Sequence, residues 1–102
     1  MTGGLVSIPA AVRAAPVGSN LAVLLQAAGG KMLGLYDGVR FVRINARDGT
    51  LITITINCEQ ELWRVARIEP TSGRADFRDD PFQSAAGISR SSWCTSPVRT
   101  ME

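Results

Sequence analysis

From Leu51 to Cys58 the chain alternates branched aliphatic and polar residues, Ile52, Ile54 and Ile56 against Thr53, Thr55 and Asn57. A period of two places all three isoleucines on one face of an extended strand, and Cys58 continues their stripe. Upstream, Val39 to Asn45 has the same character, and Arg47-Asp48-Gly49 separates the two runs. A three-residue hairpin loop needs a left-handed third residue, which Gly49 supplies without a Cβ penalty. That loop pairs Ala46 with Thr50, Ile44 with Ile52 and Val42 with Ile54, so apolar side chains meet. A two-residue Asp48-Gly49 loop would instead set Ile44 opposite Thr53, and the longer loop is preferred on register.

The opposite face of this hairpin then carries Arg43 opposite Thr53 and Phe41 opposite Thr55. It reads either as a solvated sheet surface with Phe41 half covered or as a surface that binds something. Arg40 fits neither face. It falls on the isoleucine side opposite Ile56, and its aliphatic stem is expected to carry the charge out to solvent.

The hairpin extends in both directions. Lys31 to Tyr36 reads as a strand closed by the tight-turn pair Asp37-Gly38, which folds it back on Val39 to Asn45. Residues 59–69 are ambiguous. As a helix they have Asn57 as N-cap, Gln60 three residues on, and acids leading bases; as a strand, Trp63 and Val65 alternate with Arg64 and Ala66. The strand is favoured, because a helix would spread its apolar residues over more than half its circumference, and because Pro70 to Phe77 looks like a further turn and strand. A four-residue loop, Cys58 to Glu61, then pairs Asn57 with Leu62, Ile56 with Trp63 and Ile54 with Val65. Arg64 falls beside Thr55 and Phe41, which gathers Phe41, Arg43 and Arg64 into one patch.

Ahead of the sheet, Ile8 to Ala15 reads as a weak helical turn capped by Ser7 and ended by Pro16-Val17-Gly18. Ser19 is the better N-cap, for a helix from Asn20 to Ala28 ended by Gly29-Gly30. That helix is apolar almost all round, so it should be buried against the sheet or at a subunit contact. Residues 79–102 are Ser-rich and aperiodic, a tail unable to build its own core. Phe82, Ile88 and Trp93 are its available anchors, on its own domain or on a neighbouring subunit.

Several function classes find no support in the letters. Histidine is absent, and no GxSxG elbow, phosphate loop or dinucleotide fingerprint occurs. Asp76, Asp79 and Asp80 are interleaved with Arg74 and Arg78, which reads as a solvated ion-pair cluster. Cys58 and Cys94 stand 36 residues apart with no histidine, so a usual four-ligand zinc site cannot form. Two reduced thiols are the default reading, with Cys58 acting as a small core hydrophobe, although a disulfide is allowed by the count. A net charge of +2 announces neither nucleic acid nor membrane. No stretch approaches the roughly 20 apolar residues of a membrane span. Arg13 ahead of a Leu/Ala run resembles a secretory leader poorly, since Pro16 and Gly18 interrupt it. Ten of the eleven basic residues are Arg, a skew typical of a GC-rich bacterial or phage genome.

A chain of 102 residues can remove about 60–65% of its unfolded surface from water, enough for one core. The expected fold is α+β: an antiparallel β-meander or small barrel-like sheet with one N-terminal helix, over residues 1–78, followed by the tail. The expected function is that of a small cytoplasmic accessory protein of phage or mobile-element type, not an enzyme and without cofactor. It would act by self-association or by docking a protein partner through a sheet edge or the Trp93 tail. Two alternatives stand beside it: a nucleic-acid-binding small barrel using Phe41, Arg43 and Arg64, and a small-molecule-binding fold or histidine-free enzyme with a pocket between helix and sheet.

Overall fold

The computed structural model describes residues 17–101. Helix α1 (Val17–Ala27) precedes four strands in meander order, β1 (Lys31–Tyr36), β2 (Val39–Asn45), β3 (Leu51–Asn57) and β4 (Leu62–Glu69). Two short strands, β5 (Asp76–Phe77) and β6 (Gln83–Ser84), both pair with β4. The sheet is open and antiparallel throughout, an α+β meander rather than a barrel. A 3₁₀ turn (Ile88–Arg90) and a single-turn helix α2 (Ser92–Thr95) complete the chain.

Local chemistry accounts for each connection. Asp37 and Gly38 both hold positive φ, 52° and 81°, the backbone a two-residue hairpin turn with native twist demands. In the β2–β3 loop Gly49 sits at φ 90°, Ala46 N–H bonds Thr50 O at 2.8 Å, and the Asp48 carboxylate accepts the Thr50 N–H at 2.9 Å. That last bond is the main reason the Asp48 carboxyl titrates below the usual aspartate range. The resulting register sets Ile44 against Ile52, Val42 against Ile54 and Arg40 against Ile56. Residues 62–69 are strand, and the β3–β4 loop pairs Asn57 with Leu62, Ile56 with Trp63 and Ile54 with Val65. The Asn57 side chain does accept the Gln60 N–H at 2.9 Å, as an N-cap would, but it closes a turn.

Two irregularities shape the faces. In β1 the register slips between Met32 and Gly34, and in β4 a bulge at Ala66 separates Ile54↔Val65 from Thr53↔Arg67. One extra residue transfers everything beyond it to the other face. Without the bulge Arg67 would oppose Ile52 inside the core; with it, Ile68 takes that place and Arg67 turns outward.

Val42, Ile44, Ile52, Ile54 and Ile56 form the sheet half of the core, and Leu21 and Leu25 of α1 press on them. Among the described residues the helix runs from Val17, so the expected cap Ser19 lies within it. Its end is the expected one: Gly29 at φ 67° lets Gly30 N–H reach Leu25 O at 2.8 Å and Gly29 N–H reach Gln26 O at 3.2 Å. Ala22 and Ala28 pack on the core, while Val23 remains exposed. The turn expected over Ile8 to Ala15 lies outside the described residues.

Residues 79–101 close the core from above. Ala85 and Ile88 are fully buried, and Trp93 and Cys94 pack beside them. Here one expectation is overturned: Cys58 and Cys94 are joined in a disulfide, not held as two thiols. The isoleucine stripe does bring Cys58 to the core side, and the returning tail lays Cys94 over it, a meeting that an aperiodic segment could not announce. Arg40 is likewise corrected. Its guanidinium does not run to solvent but donates to the carbonyls of Trp93 at 3.2 Å and Ser96 at 2.9 Å, at the C-terminal end of α2, where a cation is favoured.

Candidate functional site

Pairing across the strands builds the outer face in rows. One row runs Gly34, Phe41, Thr55, Arg64; the next runs Lys31, Arg43, Thr53, Arg67, Phe77. Phe41, Arg43 and Arg64 therefore share this face, as their register requires. Trp93 does not join them. It packs on the opposite side of the sheet, with its ring 3.2 Å from where a Cβ on Gly30 would lie.

The aromatic residues divide cleanly. Trp63, opposite Ile56, and Trp93 are on the core side, whereas Tyr36, Phe41, Phe77 and Phe82 are on the outer side. Three of these outer rings are well exposed, Phe77 at 75%, Phe82 at 53% and Tyr36 at 52%.

Each of two guanidinium groups is sandwiched into this face. Arg64 lies under Phe82, 4.2 Å from the ring centroid, and its Nη1 donates to the Asp79 carboxylate at 3.3 Å and the Asp80 carbonyl at 3.4 Å. Arg67 lies under Phe77 at 5.0 Å and pairs with Glu69 at 3.2 Å. Stacking on a ring satisfies the flat face of a guanidinium while its edge stays free for hydrogen bonds. The Nε of Arg67 is buried without an acceptor among the described residues. Within the first row Thr55 is covered to 9% exposure, so the centre of the face is close-packed and not a loose polar surface.

Charge on this face is partly neutralised. Lys31 and Arg43 make no ion pair among the described residues, while Asp79 and Glu69 answer Arg64 and Arg67. Beside the face, Arg78 pairs with Asp80 at 3.1 Å and Asp76 at 3.3 Å, which raises its already high pKa, Asp80 contributing most. Of the interleaved charges, Arg78, Asp76 and Asp80 form the expected ion-pair cluster, while Asp79 turns to Arg64 and Arg74 makes no ion pair among the described residues. Among the described residues no three His, Cys, Asp or Glu side chains gather to hold a metal ion.

Reading the letters alone missed Arg67, Phe77 and Phe82. Arg67 was hidden by the bulge, whose only trace is the three-residue step from Val65 to Ile68 in an otherwise two-residue stripe. Phe77 sits on a flanking strand of two residues, too short for any period to register, and Phe82, singled out only as a tail anchor, lies just ahead of β6.

The other two surfaces expected to dock a partner are engaged internally. Along β1, Leu35 N–H bonds Arg99 O at 2.8 Å and Met101 N–H bonds Leu35 O at 2.7 Å, so residues 99–101 line that edge. The β4 edge is paired by β5 and β6, and the Trp93 tail is folded onto the core. No described helix is long and apolar enough to cross a membrane. No protein-family model, curated protein or solved structure matches the chain.

Proposed function

We propose that this protein is a non-enzymatic docking module whose working surface is the outer face of the sheet, and that its partner is a protein presenting apolar side chains flanked by carboxylates. The observation that carries this reading is that exposed Phe77, Phe82 and Tyr36 share a face with Arg43 and Lys31, two cations of that face without ion-pair partners among the described residues. Aromatic rings and arginine are the residues that dominate protein interfaces, rings through area at low entropic cost and arginine through directional hydrogen bonds.

A nucleic-acid strand fits the same face less well. Backbone tracking needs several free cations, and here Arg64 and Arg67 are already paired with Asp79 and Glu69. A second copy of the chain is also disfavoured, since it would bring Lys31 and Arg43 against their own like. The cytoplasmic setting expected from the composition belongs to this proposal, with the disulfide then a bond that cellular thiols make and break.

The test is amide chemical-shift mapping on the oxidised full chain with two defined probes: an amphipathic peptide of alternating leucine and glutamate, and single-stranded oligo-thymidine. The peptide should shift Arg43, Thr53, Thr55 and Arg67, and a Phe77→Ala plus Arg43→Glu variant should weaken binding at least about tenfold, as removal of an interface anchor does. Tighter binding of oligo-thymidine on the same residues would replace the protein partner with a nucleic acid. Concentration-dependent light scattering without either probe would replace it with a second copy, and unchanged spectra with the peptide would remove the reading.

A further inference from the structure

We propose that the Cys58–Cys94 disulfide is a redox-operated latch that holds residues 79–101 shut over the isoleucine face, so that its reduction frees this flap while the meander stays folded. The bond itself lies on the core side of the sheet, but the flap it closes begins with Asp79 and Phe82, which reach Arg64 on the outer face.

The attachment of the flap argues for it. Ala85 and Ile88 are its only fully buried side chains among the described residues. Its sheet pairing is limited to Gln83 and Ser84 on β4 and the bridge of Thr100 to Leu35. The rest is point contacts: Arg64 to Asp79, Asp80 and the Phe82 ring, Ala85 N–H to Glu61 O at 2.8 Å, the Glu61 carboxylate to Gly87 and Ser89, and Arg40 to Trp93 and Ser96. Nothing in that set is continuous, whereas β2, β3 and β4 are paired along their lengths and keep α1 on one side. A segment joined by scattered contacts opens at lower free energy than a paired sheet. The disulfide bonds the end of the isoleucine stripe directly to α2, in the middle of the flap, and its two cysteines are partly exposed, so a reductant can reach them.

The step balances with an external dithiol as reductant. A thiolate of the dithiol attacks one sulfur of the bond, and the other cysteine leaves as thiolate and takes a proton. The second thiol of the reductant then displaces the mixed disulfide. Cys58 and Cys94 end as two thiols, having gained two electrons and two protons, and the dithiol ends as a disulfide. An oxidised thiol couple reverses the sequence.

Hydrogen exchange on the full chain tests this, with dithiothreitol as the reductant. On reduction the hydrogen-bonded amides of Ala85, Ile88, Cys94 and Thr95 should exchange on the order of a hundredfold faster, while those of Val42, Ile54 and Ile56 stay protected. Oxidised glutathione should restore the slow rates. A Cys58→Ser plus Cys94→Ser variant should show the fast flap without reductant. Flap amides unchanged by reduction would overturn the proposal, and so would joint loss of protection by flap and sheet, which would make the bond a staple of the whole fold.

Discussion

The β2–β3 hairpin and the C-terminal flap meet on the same isoleucines, yet they are held in place by opposite means. The hairpin is a repeating structure: each residue from Arg40 to Asn45 faces a partner, and each second side chain enters the core. The flap has no repeat. Its position depends on single residues supplied by other elements, Cys58 and Glu61 from the β3–β4 loop, Arg40 from β2 and Leu35 from β1. A repeating element opens as a unit, whereas an element hung on a few contacts can be detached one contact at a time.

The sharpest way to break this contrast is inside the hairpin. Ile56→Ala removes a fully buried side chain where β2, β3 and β4 converge, and should cost about 3–4 kcal/mol in chemical denaturation, with flap and sheet unfolding together. Gly34→Ala acts on the flap's far end. A Cβ there would lie 2.7 Å from Met101 Sδ and 2.9 Å from Arg99 O, so residues 99–101 should be pushed off β1, at about 1–3 kcal/mol. Amide exchange at Leu35 and Met101 would report this, and unchanged protection there would show that the edge contact yields without cost.

Arg40→Ala removes the donor to Trp93 and Ser96 and should cost about 1 kcal/mol, concentrated in the flap. Tryptophan emission that fails to move would contradict a role for this clamp. The smallest effect is expected from Glu61. Its carboxyl is held below the ordinary glutamate range, chiefly by the Ser89 hydroxyl at 2.8 Å, then by the Ser89 and Gly87 N–H groups and the nearby Arg90 charge. A depressed carboxylate stabilises the fold in full above its unfolded pKa, and that stability is lost as pH falls through the folded value. The flap should therefore loosen on acidification below the ordinary glutamate range, and Glu61→Gln should flatten that dependence in an exchange-versus-pH series.

The same contrast explains what could be read from the letters. Ile44, Val42, Ile52 and Ile54 found their partners because a period of two and a glycine at the turn leave one register that keeps apolar side chains together. The patch of Phe41, Arg43 and Arg64 followed from that register, and its three members do share a face. Arg67 was out of reach because the Ala66 bulge breaks the period where the prediction relies on it. The partnership of Asn57 and Gln60 misled in a different way: the hydrogen bond is real, but helix caps and tight turns use the same chemistry. Arg40 was placed opposite Ile56, but its carbonyl partners, like the contacts of Cys94 and Glu61, were not, since long-range point contacts have no local pattern. Trp93 was read both as a docking residue and as a tail anchor on its own or a neighbouring subunit, and it packs on its own core beside Gly30 and Val42.

The Ala66 bulge also has a meaning in the currency of insertions and deletions. Most single-residue losses in a small domain fall in loops and leave the faces of its elements intact. Loss of this one codon from β4 would transpose the strand's second half, sending the guanidinium of Arg67 toward Ile52 and turning Ile68 out to water. The sheet would keep its strands and exchange the identities of its two sides along that edge. One residue with a methyl side chain thus keeps Arg67 opposite Thr53 and beside Phe77 on the outer face.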